Sequence, residues 1–494
     1  MRAFHAGLAR EAHGRPRGQE EIEMATDVRT PRNLLALVGA SMAVVSGVLI
    51  VGLAIAGLLG YAGSPYTGIV AYMVLPMFFV GGLLLIPLGS YLSRRATRRA
   101  AELGVEAPHL PVIDLNEGAT RKKVVAFVAI TAVNAVIVGF AGYQGFHVME
   151  SPGFCGKTCH KVMDPEYTAY QRSPHARVAC VECHIGPGAS WFVKSKLSGA
   201  WQLVSVTFDL YSKPIPTPVH QLRPARETCE ACHWPAKFTG DRLKVKTVFA
   251  EDEQNTEQKT VLLLHVGHGD QDLGRPHGIH AHVAPGVQVR YLSDPERKVI
   301  TTVESIFPDG QRKLFKTKDS PATDPPAEAW RTMDCVDCHN RAAHRFRQPG
   351  VEVDLAIQSG RIDRTLPFVR REAVKALKAE YVSREDAKVK IREGLVGFYR
   401  TLDPAGFEAR AKQVDAAAEA VGEIYGWNVW PNMKITWGTY AAKIGHEETT
   451  GCFRCHDEEH ATADGKTISQ DCDMCHAVLA QEEKDPKVLQ ALQP

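Results

Sequence analysis

The sequence has almost no net charge and no cysteine outside one repeated motif. Its 58 Lys and Arg residues nearly balance 56 Asp and Glu residues, which leaves a formal net charge of +2. A chain with so little net charge gives no reason to expect a nucleic-acid partner. All 12 cysteines fall into closely spaced pairs, so none is left over for a disulfide framework. These two absences exclude a basic nucleic-acid-binding protein and a disulfide-stapled scaffold.

Each cysteine pair is followed directly by histidine, in the pattern Cys-x-x-Cys-His or, at the first site, Cys-x-x-x-Cys-His. This pattern is the attachment signature of c-type haem, whereas a zinc site does not need histidine in that fixed place. The sequence therefore predicts six covalent haems. Their thioether cysteines are Cys155, Cys159, Cys180, Cys183, Cys229, Cys232, Cys335, Cys338, Cys452, Cys455, Cys472 and Cys475. Their proximal iron ligands are His160, His184, His233, His339, His456 and His476.

Three long stretches without a charged side chain precede the first motif, at residues 34–61, 68–92 and 124–146. Each is long enough for a helix to cross a hydrocarbon core of about 30 Å. Pro76 and Pro87 lie in the second stretch, where a membrane helix tolerates them. We therefore predict three transmembrane helices within residues 33–146.

Basic residues predict the orientation of these helices. Arg29 and Arg32 precede the first stretch, the connection 62–67 has no Lys or Arg, and the second connection is rich in both. By the positive-inside rule, residues 1–32 and the basic second loop are cytoplasmic, and residues 147–494 lie in the periplasm of a bacterium, outside its inner membrane. Residues 1–32 contain no recognisable cleavable signal peptide, and translation could start at Met1 or at Met24.

The spacing of the motifs divides the exported part into three regions. Residues 147–240 hold three motifs, and residues 331–494 hold the other three with helices between them. Residues 241–330 lack cysteine and contain alternating or β-branched runs, which predict a β-rich insert. Ser383 and Asp386 resemble a helix capping box. We expect a mainly α protein with three transmembrane helices and a haem-packed periplasmic region, in which the haems supply much of the core, plus the small β-rich insert.

A hydrophobic stretch runs directly into the first motif, and His175-x-x-x-x-Cys180-x-x-Cys183-His184 follows. This arrangement resembles the NapC/NirT family of membrane-anchored multihaem cytochromes. The stretches 222–235, 278–282, 338–344 and 451–457 are similar to longer versions from metal-respiring bacteria. The resemblance implies oxidation of menaquinol at the outer membrane surface and delivery of electrons to periplasmic cytochromes or reductases. The family commonly has four haems and one span, fewer than the chain's motifs and apolar stretches predict.

Six-coordinate electron-transfer haems need a second axial ligand, which is usually histidine or methionine. The family-like contexts favour four of the remaining histidines: His175, His220, His344 and His446. For a fifth haem we choose His280, with His282 almost equally suitable. The resemblance implies a methionine at the first haem, and Met163 is the candidate, although it lies three residues after His160 where the family often has two. His147 and His460 are the next candidates for second axial ligands.

Residues 191–211 predict an interfacial helix, because Val193, Leu197, Ala200, Val204 and Phe208 recur at helical spacing. By the resemblance, Lys196 falls where the family has a quinol-contacting lysine, and Lys194 is the alternate. Asp209 is the nearest candidate for an acidic partner. Both lysines could instead be ordinary anchors that reach toward lipid headgroups.

The favoured function is therefore a menaquinol dehydrogenase. An alternative is an electron-relay subunit without its own quinol site, because the chain has three predicted spans rather than one. In addition, Gly39, Ala43 and Gly47 form a small-residue face that could pack within the chain, against a membrane partner or against a second copy. A terminal multihaem reductase is less favoured. Such enzymes often have lysine in place of one motif histidine, and all six motifs here keep histidine.

Overall fold

A computed structural model describes residues 33–58, 74–105, 114–158, 160–219, 223–234, 240–267, 277–323 and 325–492. The side chains of residues 131–142, 145–146, 158, 160–161 and 189 are also outside the description, as are those of residues 54–58. The chain divides into two units, Met1–Ala141 and Gly142–Pro494.

The first unit contains helix α1 (Leu34–Leu58), helix α2 (Leu75–Glu102) and the beginning of helix α3 (Gly118–Glu150). Among the residues that the structure describes, two segments are long and apolar enough to cross a membrane, Leu34–Leu53 and Leu75–Glu102. The third predicted span lies within α3, but most of its side chains are outside the described residues. Helix α2 continues past residue 92, so Arg94, Arg95, Arg98 and Arg99 lie on a helix rather than in a loop.

Helices α1 and α2 pack closely through small residues. A Cβ atom added to Gly39 would lie 2.7 Å from the Gly82 carbonyl oxygen, and one added to Gly82 would lie 2.6 Å from the Gly39 carbonyl oxygen. Ala43 is buried, and Gly47 faces the ring of Phe79. The small-residue face noted in the sequence is therefore used for packing within the chain, as GxxxG-like faces are in other membrane helices.

The second unit begins with the helices that carry the first three motifs and with a motif-free helix, which lies between the second and third motifs. These are a π-helical turn (Phe154–Thr158), α4 (His160–Gln171), α5 (Cys180–His184), α6 (Ala189–Thr207) and α7 (Ala225–Cys229). The fourth motif forms α8 (Cys335–Cys338), and short 3-10 turns carry the fifth (Gly451–Arg454) and the sixth (Cys472–Met474).

The β-rich insert contributes to two antiparallel sheets. One has the order β1 (Asp241–Phe249), β2 (Glu257–His265) and β7 (His476–Glu483). The other has the order β5 (Arg312–Lys316), β4 (Ile300–Ile306), β3 (Gln288–Ser293) and β6 (Arg331–Thr332). A tight turn at Gly310, with a φ of 79°, joins β4 to β5. Strand β7, which sequence reasoning missed, begins at the sixth motif histidine and pairs His476 with Leu264.

Four helices between the fourth and fifth motifs form a conventional side-chain core. They are α9 (Pro349–Gln358), α10 (Val369–Lys378), α11 (Arg384–Leu402) and α12 (Phe407–Asn428), and α13 (Lys487–Ala491) ends the chain's helices in the described residues. Leu377, Ile391 and Val421 are fully buried in this core. The expectation that haem supplies the core is therefore wrong for this segment, because apolar helix faces supply it.

The cap that we predicted for α11 is present. The Ser383 hydroxyl accepts a hydrogen bond from the Asp386 amide at 3.0 Å, and the Asp386 carboxylate accepts one from the Val382 amide at 3.1 Å. The local pattern therefore specified where this helix begins.

Candidate haem sites and quinol segment

The fourth motif shows how the chain places its paired thiols. Asp334 caps helix α8 by accepting a hydrogen bond from the Cys335 amide at 2.6 Å, and Asp337 accepts one from the Asp334 amide at 2.8 Å. Asp334 also accepts a hydrogen bond from the Ala225 amide at 2.7 Å, at the start of the third-motif helix. One carboxylate therefore fixes the start of the fourth motif and holds the third motif beside it.

The cysteines are available for thioether formation. The eleven that the structure describes are all free of disulfides, and Cys159 lies outside the described residues. Within the described part of the chain, no group of three or more His, Cys, Asp or Glu side chains is arranged to hold a metal ion.

Five motif histidines lie opposite a second histidine at nearly the same distance. The ring centroids are 6.2 Å apart for His184 and His344, 6.0 Å for His233 and His175, 6.5 Å for His339 and His280, 5.9 Å for His456 and His282, and 6.2 Å for His476 and His446. Two imidazoles that bind one metal from opposite sides, each through a nitrogen about 2.0 Å away, place their centroids roughly 6 Å apart. The spacing therefore fits an iron atom between the rings of each pair.

Backbone carbonyl groups orient several of these rings. The Nδ1 atom of His344 lies 2.9 Å from the Glu166 carbonyl oxygen, that of His282 lies 2.7 Å from Ile279 and that of His456 lies 2.8 Å from Ser469. Since a carbonyl oxygen can only accept, Nδ1 carries the proton and Nε2 keeps its lone pair. This is the tautomer that a metal ligand bound through Nε2 requires.

Burial favours neutral imidazoles at these positions. Burial lowers the pKa of three of them: His282, His184 and His339. A nearby histidine lowers each pKa further: His456 acts on His282, His344 on His184 and His233 on His339. The hydrogen bond that His282 donates to the Ile279 carbonyl oxygen opposes the lowering of the His282 pKa, and the negative charge of Glu166 opposes the lowering of the His184 pKa. Only the unprotonated ring can bind iron, so these environments suit ligation.

Motifs that are adjacent in the sequence are also adjacent in space. The thiols of Cys155 and Cys180, from the first and second motifs, share a hydrogen bond that raises the pKa of Cys155 and lowers that of Cys180 to about 7. A similar bond joins Cys229 of the third motif to Cys335 of the fourth and lowers the pKa of Cys229.

Electrostatic interactions between thiols link the remaining pairs of consecutive motifs. Burial, and then the thiols of Cys229 and Cys232, raise the pKa of Cys183, which links the second motif to the third. Burial and then Cys452 raise the pKa of Cys338 to about 11, and burial and then Cys452 also raise that of Cys475. The described thiols therefore run in chain order from the first motif to the sixth.

The predicted quinol segment forms helix α6, and its apolar stripe is open to the surroundings. Leu197 and Phe208 are each 69% exposed, and Trp201, Val204 and Ala200 are exposed too. Such a face on a helix suits contact with acyl chains or with a quinol tail.

The two candidate lysines lie on this helix in different surroundings. Lys196 Nζ lies 4.8 Å from the centroid of the Phe192 ring, and Lys194 Nζ lies 4.6 Å from that of Trp191. The hydrogen bond to Cys180 and burial raise the pKa of Cys155, and Lys196 is among the groups that lower it. Lys196 therefore lies close enough to the first motif to act on its thiol.

The remaining candidates are placed as follows. Met163 is half-buried on α4, while His220 and the side chain of His160 are outside the described residues. His460 is fully buried with its Nδ1 atom 2.9 Å from Asp457, and His147 is exposed beside the ring of Tyr143. Asp209 pairs with Lys213 at 2.8 Å.

His280 and His282 differ from the sequence interpretation, which treated them as alternatives. In the structure they face two different motif histidines, His339 and His456. A short 3-10 turn at Ile279–Val283 turns the two rings toward neighbouring motifs. Sequence reasoning also missed the buried carboxylate of Asp337, which accepts hydrogen bonds from Tyr291 at 2.7 Å and from Arg331 at 2.9 Å. Its place between Cys335 and Cys338 gave no sign of burial.

Comparison with known proteins agrees with the motif pattern. Residues 118–215 match the N-terminal region of the NapC/NirT cytochrome c family. The chain is 40% identical over 453 residues to the cytochrome c-type protein ImcH of Geobacter sulfurreducens, an alignment that covers 91% of this chain and 88% of ImcH. It is 33% identical over 78 residues to the cytochrome c-type protein NrfH of Wolinella succinogenes, which covers 15% of this chain and 44% of NrfH. No solved structure matches the chain. The chain therefore belongs to the NapC/NirT family of membrane-anchored multihaem c-type cytochromes.

Proposed function

We propose that this protein is a six-haem cytochrome that oxidises menaquinol at the outer surface of the bacterial inner membrane and passes the electrons to periplasmic cytochromes or reductases. The observation that carries the proposal is the exposed apolar face of α6, with Lys196 beside the first motif. When bound, the haems accept and release single electrons. Family membership supports this function because the NapC/NirT resemblance implies quinol oxidation.

We assign the haem-holding residues from the motifs and the ring pairs. Each motif supplies two thioether cysteines and one proximal histidine. The second ligands are His344 for the second motif, His175 for the third, His280 for the fourth, His282 for the fifth and His446 for the sixth, supported by the centroid distances near 6 Å. Met163 is our proposed second ligand for the first motif. This assignment does not use His220.

The quinol site is assigned to helix α6. Its exposed apolar stripe can hold the tail of the quinol among membrane lipids, and the Lys196 ammonium can donate a hydrogen bond to a quinol oxygen. Loss of two protons and two electrons converts the quinol to the quinone. A nearby ammonium stabilises the negative charge that develops on the oxygen as a proton leaves. The side chain of Lys196 is exposed, so released protons can reach the periplasmic water.

The order of the motifs supports a direction of transfer. Quinol oxidation beside the first motif would place entry at one end of the series and exit at the sixth motif. Cys472 and Met474 of the sixth motif are exposed, which leaves that end accessible to a periplasmic acceptor. The alternative function, a relay subunit, drew support from the small-residue face of α1, and packing of this face against α2 accounts for that feature within the chain.

Anaerobic stopped-flow reduction by a reduced menaquinone analogue tests this function. The purified protein in detergent is mixed with the quinol, and the c-haem α band is followed for wild type, Lys196→Ala and Lys194→Ala. We expect fast reduction of wild type, a loss of at least tenfold in Lys196→Ala and little change in Lys194→Ala. Equal losses in both variants would indicate a general effect of surface charge. If none of the proteins is reduced by quinol although dithionite reduces all of them fully, the relay function is correct instead.

A further inference from the structure

A cavity of about 220 Å³ lies beside the fourth motif and carries an unusual density of positive charge. Cys338 and His339 form part of its wall. Four arginines also contribute to the wall: Arg172, Arg341, Arg345 and Arg347. A cavity with this lining attracts an anion.

All four arginines have a carboxylate partner, which is Glu166 for Arg341. Arg172 Nη2 donates to Glu352 at 2.7 Å, Arg347 Nη1 donates to the same carboxylate at 3.5 Å, and Arg345 Nη2 donates to Glu448 at 3.0 Å. Two carboxylates, Glu352 and Glu448, therefore offset part of the positive charge of these three arginines.

Arg341 is different because only half of its guanidinium group is used. Nη1 donates to Glu166 at 3.1 Å, and the guanidinium lies 4.1 Å from the centroid of the Tyr440 ring. The side chain is 8% exposed, and Nη2 is buried without a hydrogen-bond partner among the residues that the structure describes. A buried donor on a charged group is costly when it has no acceptor. An acceptor from outside the polypeptide is therefore expected at this position.

We propose that Arg341 Nη2 binds a carboxylate, and that this carboxylate is a propionate of the haem held at the fourth motif. Thioether bonds at Cys335 and Cys338 would hold that haem beside the cavity, and its two propionates are its only anionic groups. Arginine forms strong charge-assisted hydrogen bonds with carboxylates. Its positive charge, placed at the edge of the haem, stabilises the reduced iron and so raises the midpoint potential of this haem above that of an uncompensated one. The inference rests on haem attachment at the fourth motif, and does not require quinol oxidation.

Redox titration of the intact protein tests the proposal without any quinol. The α band is followed against electrode potential for wild type, Arg341→Gln and Arg341→Lys, after the haem content per chain has been measured as the pyridine haemochrome. We expect unchanged haem content and a lower midpoint potential for the part of the amplitude that one haem contributes. Arg341→Lys keeps the positive charge, so the midpoint potential of this haem should stay close to its wild-type value. Arg392→Gln is the matched control, because Arg392 on α11 is exposed, is paired with Asp415 at 2.9 Å and is not part of the cavity wall, so its loss should leave the titration unchanged.

Two further titrations distinguish a propionate from an unpaired Glu166 and from a free anion. Loss of Arg341 leaves Glu166 without this partner, so the same substitution is repeated in a Glu166→Gln background. A shift that persists there supports the propionate, whereas a shift that vanishes there overturns the proposal. Wild type is also titrated at several concentrations of inorganic phosphate at constant ionic strength. A potential that varies with phosphate in wild type but not in Arg341→Gln would assign the site to a free anion and overturn the propionate.

If Arg341→Gln does not fold, resonance Raman spectra of Arg341→Lys decide the matter. Lysine cannot reproduce the two-sided donation of arginine, so the propionate bending mode of one haem should shift relative to wild type. Spectra of Arg341→Lys identical to wild type in this mode would overturn the proposal.

Discussion

The imidazole ring of His184, in the second motif, lies 6.2 Å from that of His344, which follows the fourth motif. Glu166 of helix α4 holds His344 in place by accepting a hydrogen bond at its carbonyl oxygen and through its carboxylate 3.3 Å from Nδ1. The proposed second haem site therefore combines parts of the chain that are distant in the sequence.

This pairing predicts the spectrum of a His344→Ala variant. Removal of the second ligand should leave one iron five-coordinate and convert one of the low-spin ferric haems to high spin. Electron paramagnetic resonance of the oxidised protein would show the new signal, and carbon monoxide would bind the reduced variant. The control is His265→Ala, because His265 lies at the end of strand β2, where it pairs with Asp241 at 2.9 Å, and its loss should change neither reading. A wholly low-spin His344→Ala protein would remove this histidine from the ligand assignment.

The neighbouring residues His280 and His282 should act on separate haems. Each single alanine variant is expected to produce high-spin signal from one haem, and the double variant should produce twice that amount, because His280 faces His339 and His282 faces His456. Integration of the high-spin signal against haem content measures this. One silent single variant, with a double variant no greater than the active single, would mean that only one of the two histidines binds iron.

The helical core between the fourth and fifth motifs should respond like the core of any globular domain. Leu377 is fully buried in it, so Leu377→Ala should lower the free energy of unfolding by about 2–5 kcal/mol. Val389→Ala on α11 is the control, since Val389 is exposed and its loss should change stability by no more than about 0.5 kcal/mol. Thermal unfolding followed by circular dichroism, with haem content measured beforehand, compares the two. Equal stability of the two variants would contradict a core built from side chains.

The contact between α1 and α2 predicts opposite results for two adjacent glycines. Gly82→Ala places a Cβ atom 2.6 Å from the Gly39 carbonyl oxygen, so the helices must move apart at a cost of roughly 1–3 kcal/mol. Gly81→Ala meets nothing within 4 Å and should be neutral or slightly stabilising. The midpoint temperature in detergent measures both. A tolerated Gly82→Ala would argue against close packing of these helices.

Local features of this chain were readable from its sequence. The alternating and β-branched runs predicted the β-rich insert, and Ser383 predicted the start of α11, because short-range backbone preferences decide both. The cysteine motifs predicted the thiol pairs for a similar reason, since their chemistry depends on spacing within one turn.

Features that depend on tertiary structure were not readable. Which histidine faces which motif depends on how distant segments pack, and the 3-10 turn that directs His280 and His282 to different motifs has no clear sequence signature. Strand β7 was missed because its outer half, ending at Glu482 and Glu483, is polar and its stability comes from pairing with β2. The core of α9–α12 was underestimated because their apolar faces were assigned to haem contact.

The pairing of His184 with the much later residue His344 has a consequence for the order in which the haems are attached during biogenesis. If the polypeptide is translocated from its N-terminus, as the proposed orientation requires, the second ligands of the third, fourth, fifth and sixth motifs all emerge before those motifs, because His175, His280, His282 and His446 precede their partners in the chain. His344 emerges long after His184. Under the proposed ligand assignment, the second haem would be attached before its second ligand is available, and this ligand would arrive only after the fourth motif.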